Sequence, residues 1–427
     1  MRSFFNYRSC LTAGLLATSL LPAASSLAQD EAPEIVPPPD HPLVAFFKEG
    51  EFNLDVRFRY EHADIDGFGD SNAFTMRTRL GFTTKRFAGF QAMIELEDNR
   101  SADYDQYNAA GLNGQGGLSA IADPEDTELN QFWLDYNFAE LSEDLNLSAR
   151  VGRQRIILDD ARFVGNVGWR QLEQTFDAAK LTYQPIEDLA ATYIYIDEVN
   201  RIFGADSGRD FVSDSHLINV AYSGLDVGKI VGFAYLLDLG AAGAAVSSQT
   251  YGVRLDGSTD LSDSLALGYI GSVAIQSDYG PNPTSYDALY VLVEGKLKFK
   301  DAPGSFIGAG FEMLGSDEGV IGFSTPLATG HKFNGFADSF LGTPAAGLRD
   351  YYITGGTIIP GIDAKFMATY HFFTADDTSA DLGSEIDFVL AKKLNENMTV
   401  LAKYAYYDGD AGRADIERFW LQLELDF

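Results

Sequence analysis

Cysteine is almost absent from this chain: among 427 residues only Cys10 occurs. It lies in an N-terminal segment with Arg2 and Arg8 ahead of an apolar run and Ser26-Leu27-Ala28 as a small-x-small cleavage site. This arrangement is typical of a secretory signal peptide, which we assign to residues 1–28. We therefore expect an exported mature chain with no thiol, no disulfide and no cysteine-ligated metal.

Basic charge is also scarce. Lys and Arg total 31 against 62 Asp and Glu, which gives a formal net charge of −31. Binding to nucleic-acid phosphates requires a basic surface, so the composition excludes nucleic acid as an expected partner.

Long apolar runs are missing beyond residue 28, where no window of about 18 apolar residues occurs, and this excludes a transmembrane helix. The chain is nevertheless 46% hydrophobic and 13% aromatic, which is enough for a large ordered structure. An exported chain of this kind can cross a membrane only as a closed β-barrel.

Enzyme signatures are missing as well. The five histidines follow no metal-ligand spacing, and the sequence has no G-x-S-x-G, P-loop or dinucleotide-binding fingerprint. We expect no enzymatic activity and no cofactor. Most acidic residues cluster in polar segments and are interpreted as solvated loop charge. Ca²⁺ or Mg²⁺ held between loops and lipopolysaccharide phosphates remains the smaller alternative, and no metal site is assigned.

What the sequence does contain is an alternation of apolar and polar residues with a period of two. In EFNLDVRFRYE, every second residue from Phe52 to Tyr60 is apolar and lies on one face, while Arg57 and Arg59 lie on the opposite, charged face. Segments of roughly 10 residues with this pattern recur from residue 51 to the end, which is typical of outer-membrane strands. Residues 29–50 form a Pro-rich lead that we expect to be periplasmic, and residues 51–427 are predicted to form the barrel.

The pattern predicts about eighteen strands joined alternately by short and long connections. They are placed near 51–61, 72–85, 89–98, 127–138, 144–154, 175–184, 188–197, 214–223, 227–238, 249–258, 263–276, 286–299, 304–314, 348–359, 362–373, 383–392, 397–407 and 416–427. The even number returns both ends of the barrel to the short-turn side, as bacterial barrels require.

The sequence ends in FWLQLELDF, where Phe419, Leu421 and Phe427 share one face and Trp420 and Gln422 share the other. A terminal lipid-facing aromatic resembles the signal that the outer-membrane assembly machinery recognises, so Phe427 is its predicted contact. The alternative is a soluble β-sandwich with the apolar face turned to a core. Strongly charged opposite faces, and strands that continue to the last residue, favour the closed barrel.

Arginine is concentrated in the first half of this acidic chain, and we predict that these side chains line the lumen and contact anions. The candidate pore residues are Arg57, Arg59, Arg77, Arg79, Arg150, Arg153, Arg155, Arg162 and Arg170. One interpretation is structural, with each arginine paired to a carboxylate of the barrel interior. The other is functional, with unpaired guanidinium groups that select acidic sugars or other anions. The two can coexist.

Two blocks carry a family resemblance: GRQRIILDDARFVGNVGWRQLEQTFDAAKL and GFSTPLATGHKFNGFADSFLGTPAAGLRDYYI. They resemble the bacterial alginate export porins, outer-membrane barrels with an arginine-rich constriction. The resemblance spans most of residues 51–427 and implies that the two blocks fold inward as the third and seventh extracellular loops. Phe336 stands where the family has Trp, and the chain is shorter than dedicated alginate secretion channels. The residues that it implies shape these loops are Asp160, Trp169, His331, Asn334 and Asp338.

The resemblance implies a monomeric, anion-selective porin of the bacterial outer membrane that passes anionic, alginate-like poly- or oligosaccharides. Its expected partners are outer-membrane lipid, lipopolysaccharide and anionic carbohydrate. Two alternatives stay open: a general or uptake porin for small acidic solutes, and a closed barrel with a structural or adhesive role.

Overall fold

A computed structural model describes residues 46–142 and 144–427, so the predicted signal peptide and most of the predicted periplasmic lead lie outside the described residues. The fold is a closed antiparallel barrel of eighteen strands. The strands are β1 (Glu51–Ile65), β2 (Ser71–Thr83), β3 (Phe90–Ser101), β4 (Asp126–Asn137), β5 (Leu147–Gln154), β6 (Thr175–Ile186), β7 (Leu189–Asn200), β8 (Phe211–Tyr222), β9 (Lys229–Leu237), β10 (Ser248–Asp260), β11 (Leu265–Asp278), β12 (Asp287–Phe299), β13 (Phe306–Leu314), the two-residue pair β14 (Ser316–Asp317) and β15 (Ile321–Gly322), which lies outside the barrel sheet, then β16 (Leu348–Ile359), β17 (Ala364–Thr374), β18 (Asp381–Asn395), β19 (Met398–Gly409) and β20 (Ile416–Asp426).

The barrel closes where its first and last strands meet. β1 pairs with β2 on one side and with β20 on the other, in a register that runs from Asp55 opposite Asp426 to Ile65 opposite Ile416. Every other barrel strand pairs with its neighbours in the chain. Closure leaves no free sheet edge, and the predicted number of strands is confirmed.

The longest connections all lie at one end of the barrel, as the sequence predicted. Bacterial outer-membrane barrels keep short turns in the periplasm, so the longer connections are placed outside the cell. Three of them matter for the interior and are named L2 (residues 102–125), L3 (155–174) and L7 (315–347).

The two faces of each strand differ as expected for a barrel in lipid. Phe58, Phe132 and Leu421 point outward and are 43%, 58% and 54% exposed, whereas the neighbouring Arg59 and Trp420 are 2% and 0% exposed. An outward apolar surface and a charged interior match the lipid and lumen faces of outer-membrane strands. No helix in residues 46–142 or 144–427 has the length and apolar character needed to cross a membrane.

L3 and L7 fold into the barrel and pack against each other. Val164 of L3 forms a parallel bridge with Leu327 of L7, and the Gly165 amide donates to the Leu327 carbonyl at 2.8 Å. Phe163 adds ring contacts with Tyr290 of β12 and Phe323 of L7, with centroids 5.1 and 6.1 Å away. The two loops therefore share an apolar core with the inner wall of the barrel.

Candidate functional site

The first two strands project four neighbouring arginines into the lumen. Arg57 lies directly opposite Arg77 in the register of β1 and β2, and Arg59 and Arg79 flank this pair. Like charges directly opposite one another destabilise a sheet, so an arrangement of this kind requires nearby carboxylates.

Those carboxylates come from the neighbouring strands. Arg57 pairs with Glu424 of β20 at 2.7 Å, Arg79 with Glu97 of β3 at 2.5 Å, and Arg77 with Asp55 of its neighbour β1. Arg77 is 0% exposed. A buried guanidinium keeps its charge only when anions compensate the lost hydration, and here the adjacent strands supply them.

The arginine wall also holds L3 in place. Arg57 donates to the Gly168 carbonyl at 3.0 Å and to the next two carbonyls at 3.3 Å. The Arg59 guanidinium lies 4.1 Å from the centre of the Trp169 ring, a cation–π contact. Arg170 reaches back to Glu61 of β1 at 3.3 Å. L3 is thus fixed by charged groups on the barrel wall.

Glu173, at the end of L3, is a second anchor. Its carboxylate accepts from Arg155 at 2.8 Å and from Asn130 of β4 at 2.7 Å, and it lies 3.6 Å from Arg79. Burial raises the pKa of Glu173, but Arg79 and Arg155 outweigh burial and lower it to about 2. Burial lowers the pKa of the Arg155 guanidinium, but the Glu173 carboxylate raises it by more, so the net shift is upward. The group is therefore ionised at every physiological pH.

Arg162 performs a similar function on the opposite side of the lumen. It donates to Glu312 of β13 at 2.7 Å and to Asn334 of L7 at 3.0 Å, and Asn334 in turn donates to Glu312 at 2.7 Å. Asp160 accepts from Arg254 of β10 at 2.8 Å. These contacts join L3, L7 and the far wall in one buried polar network.

His331 is the point where L7 meets L3. Its ring stacks on Trp169 with centroids 4.5 Å apart and planes 7° apart. Nδ1 lies 2.7 Å from Asp338 and Nε2 lies 2.6 Å from Nζ of Lys403. Burial lowers the pKa of His331 to about 3, with Lys403 adding to the effect. The neutral ring therefore donates through Nδ1 and accepts from Lys403 through Nε2.

Asp338 completes this node. Burial raises the pKa of its carboxyl. His331, and then the guanidinium groups of Arg418 and Arg170, lower that pKa by more than burial raises it, so the net shift is downward. Asp338 has a φ of +64° and Asn334 one of +55°, backbone conformations that Asp and Asn tolerate better than most residues. The residues expected to shape the loops lie together at the L3–L7 contact, although their role in transport stays a prediction.

The predicted pore arginines are not all in one place. Arg57, Arg59, Arg77, Arg79, Arg155 and Arg170 form one wall with L3, and Arg162 faces them from the other side. Arg153 differs from the expectation of a lumen position. It follows the outward Val151 by two residues, lies beside the outward Phe132 and pairs with Asp177 at 2.8 Å, so alternation places it on the outer face. Arg150 faces inward but lies apart, towards the periplasmic end of β5.

Several members of the network were missed from the sequence. Arg418 of β20 donates to Glu61 at 3.2 Å and to the Ala337 carbonyl at 3.0 Å, and its position on the face of Trp420 was a usable signal. Asp123 of L2 lies 3.7 Å from Arg59 and 3.6 Å from Arg170. Nothing in an acidic loop segment distinguishes this carboxylate from its solvated neighbours. Within the described residues, no group of three His, Cys, Asp or Glu is arranged to hold a metal ion.

A closed eighteen-stranded barrel with an apolar outer surface and inward loops is the fold of outer-membrane porins, and it places the protein in the bacterial outer membrane. The model of the alginate export family matches residues 49–195, which confirms the resemblance expected from the sequence over that part of the chain.

Solved porins share the fold over most of the chain. OccAB4 of Acinetobacter baumannii is 16% identical with a TM-score of 0.64, covering 88% of this chain and 98% of its own. OpdK of Pseudomonas aeruginosa, solved with vanillate, is 13% identical with a TM-score of 0.67, covering 90% and 99%. OccK2 (OpdF) of the same organism is 15% identical with a TM-score of 0.65, covering 90% and 99%. No curated protein matches the chain.

Proposed function

We propose that this channel passes anionic, alginate-like oligosaccharides through its arginine-lined lumen, as a passive pore without catalysis. The observation that carries the proposal is the position of the family match. Residues 49–195 contain the eight predicted pore arginines other than the outer-face Arg153, and the whole of the inward loop L3. The part of the chain that resembles the alginate export family is therefore the part that builds the charged wall.

The packing of the two loops bears on the length of the solute. L3 and L7 pack together through Val164, Leu327 and the rings around Phe163, and charged groups of the barrel wall hold them. A linear polysaccharide and its oligomers have the same width, so the solute must in either case pass beside these fixed loops. A short oligomer can turn as it passes each loop, whereas a polymer must hold one continuous path past both, and the proposal therefore names oligosaccharides.

A second candidate is an uptake porin for small acidic solutes. One observation favours it: OpdK, whose fold is similar, was solved with vanillate, the anion of an aromatic acid. Both candidates require recognition of a carboxylate, and they differ in the size of the solute.

Flux into vesicles separates these functions. The purified mature protein is reconstituted into liposomes, and uptake of mannuronate, of its trisaccharide and of neutral maltotriose is compared. The proposed function predicts that the acidic trisaccharide enters faster than maltotriose of the same ring number. Entry of mannuronate alone would favour the uptake porin. Equal entry of acidic and neutral trisaccharides would contradict the proposal, and no entry of any sugar would favour the closed structural barrel.

A further inference from the structure

One inward row of the barrel carries more positive than negative charge. In the register of β4, β5 and β6, Asp135 lies beside Arg150, and Arg150 lies directly opposite Lys180. Arg86, from the turn between β2 and β3, also reaches Asp135 at 2.6 Å. Three cations therefore lie near one carboxylate, and only Arg86 and Arg150 pair with it. Two cations directly opposite each other destabilise a sheet, so this pair has a cost that the protein's own groups do not fully offset.

The unpaired nitrogens of this row are partly exposed, whereas the nitrogens of the arginine wall that lack a hydrogen bond, on Arg59, Arg77 and Arg79, are buried. Arg150 makes one hydrogen bond, from Nε to Asp135 at 3.4 Å, and neither of its terminal nitrogens donates to any residue in the described ranges. Lys180 makes no hydrogen bond or ion pair with any residue that the structure describes. By contrast, Arg57 engages Nε and both terminal nitrogens.

These free groups face water inside the barrel. The outward neighbours of Lys180 and Arg150 on their strands are Leu181 and Val151, which are 43% and 52% exposed, so the two cations point inward. The Arg150 side chain is 31% exposed, against 1% for Arg77. Its guanidinium rests on the Trp133 ring, 3.8 Å from the centre, which fixes its plane. The row lies near the periplasmic ends of β4 and β5, below L3.

We propose that Arg150 and Lys180 form a binding subsite for the carboxylate of an acidic sugar at the periplasmic end of the lumen. This inference rests on the proposed function and locates it: the buried arginine wall holds L3, whereas this row contacts the solute. The flat fork of Arg150 can donate to both oxygens of a carboxylate, and the Lys180 ammonium adds a third donor. Arg86 stays with Asp135 and the Gly89 carbonyl and keeps the local charge positive.

Calorimetric titration of glucuronate into detergent-solubilised protein tests binding apart from conduction. Lys180→Gln removes a charge that has no hydrogen-bond or ion-pair partner among the described residues, so the fold is expected to be unchanged, and heat-modifiable gel migration checks this. Lys298→Gln is the matched control, because Lys298 of β12 is an exposed cation near the periplasmic end on another wall. We expect Lys180→Gln to weaken glucuronate binding by about tenfold, the loss of one charge-assisted contact, and the control to bind as the wild type. Arg150→Lys is expected to bind less tightly than the wild type because the fork is lost.

The outcomes distinguish the subsite from the function. Equal affinity in wild type and Lys180→Gln, or an equal loss in the Lys298→Gln control, overturns the subsite. Binding that depends on Lys180 in a protein whose vesicles show no preference for acidic sugars supports the subsite and contradicts the proposed function. Glucose, titrated in parallel, should not bind, and equal binding of glucose would also overturn a carboxylate site.

Discussion

Trp169 of L3 and His331 of L7 stack face to face, with centroids 4.5 Å apart and planes 7° apart, so an aromatic contact couples the two inward loops. Lys403 of β19 lies 4.2 Å from the Trp169 centroid and 2.6 Å from the histidine. Because both loops meet a cation of the barrel wall here, the contact controls how L3 and L7 sit in the lumen.

Trp169→Ala is expected to loosen this coupling. The variant loses the stacking on His331 and the cation–π contacts with Arg59 and Lys403, while the barrel strands keep their pairing. Single-channel recordings should show larger and more variable conductance than the wild type. Tyr193→Ala is the control, because Tyr193 stacks on His216 on the outer face. Wild-type conductance in Trp169→Ala would show that the contact does not restrict the pore.

Acid should release the loops through His331. Its pKa is lowered to about 3 in the folded protein, so the unfolded chain binds the proton more readily between pH 6.5 and 3. Stability from the neutral ring is complete above pH 6.5 and is lost as the pH falls towards 3.

Glu173 adds a second loss in acid, because a carboxylate with a pKa lowered to about 2 contributes stability that disappears as the pH falls from about 4.5. The protection of L3 and L7 amides against hydrogen exchange, corrected for the intrinsic pH dependence of exchange, should therefore fall below pH 6.5. His331→Gln should weaken the upper part of this dependence, and His216→Gln, an outer-face control, should not. Loop exchange with no change between pH 7 and 4 beyond the intrinsic pH effect would contradict the assignment.

Removing one partner of the buried pair Arg79–Glu97 should destabilise the barrel. Arg79→Met removes the positive charge that neutralises the buried carboxylates of Glu97 and Glu173. The loss of one partner of a buried ion pair typically costs about 3–5 kcal/mol in the free energy of unfolding. Urea unfolding from vesicles measures this. The double variant with Glu97→Gln should recover part of the loss, since it removes one of the stranded charges. Equal stability of wild type and Arg79→Met would show that the pair is not a structural one.

The outward face should reject charge in the middle of the membrane. Leu421 lies at the centre of β20 and is 54% exposed on the lipid side, so Leu421→Arg is expected to cost about 2–4 kcal/mol of folding free energy. Val320→Arg, in the exposed part of L7, should cost little. Folding yield into vesicles and urea midpoints compare the two variants. Similar small effects at both positions would place Leu421 away from the lipid core.

The barrel could be predicted from the sequence because each strand carries its own two-faced pattern. Phe58 beside Arg59 and Leu421 beside Gln422 assign the lipid and lumen faces without reference to any other strand. The pairing partners could not be predicted, since Arg57 meets Glu424 only because the first and last strands close the barrel. The predicted end of β5 at residue 154 agrees with the structure, and Arg153 lies three residues from the inward Arg150, so the alternation of the strand could have placed Arg153 on the outer face. The contacts of L3 with the wall depend on carbonyl groups, which leave no mark in a sequence.

The reversal potential of the reconstituted channel under a potassium chloride gradient tests the central claim most directly. The acidic chain would by itself favour cations, so preference for chloride must come from lumen cations such as Arg150 and Lys180. We predict a chloride permeability greater than that of potassium, reduced when mannuronate trisaccharide occupies the pore. A permeability ratio that favours potassium, unaffected by the trisaccharide, would contradict the account.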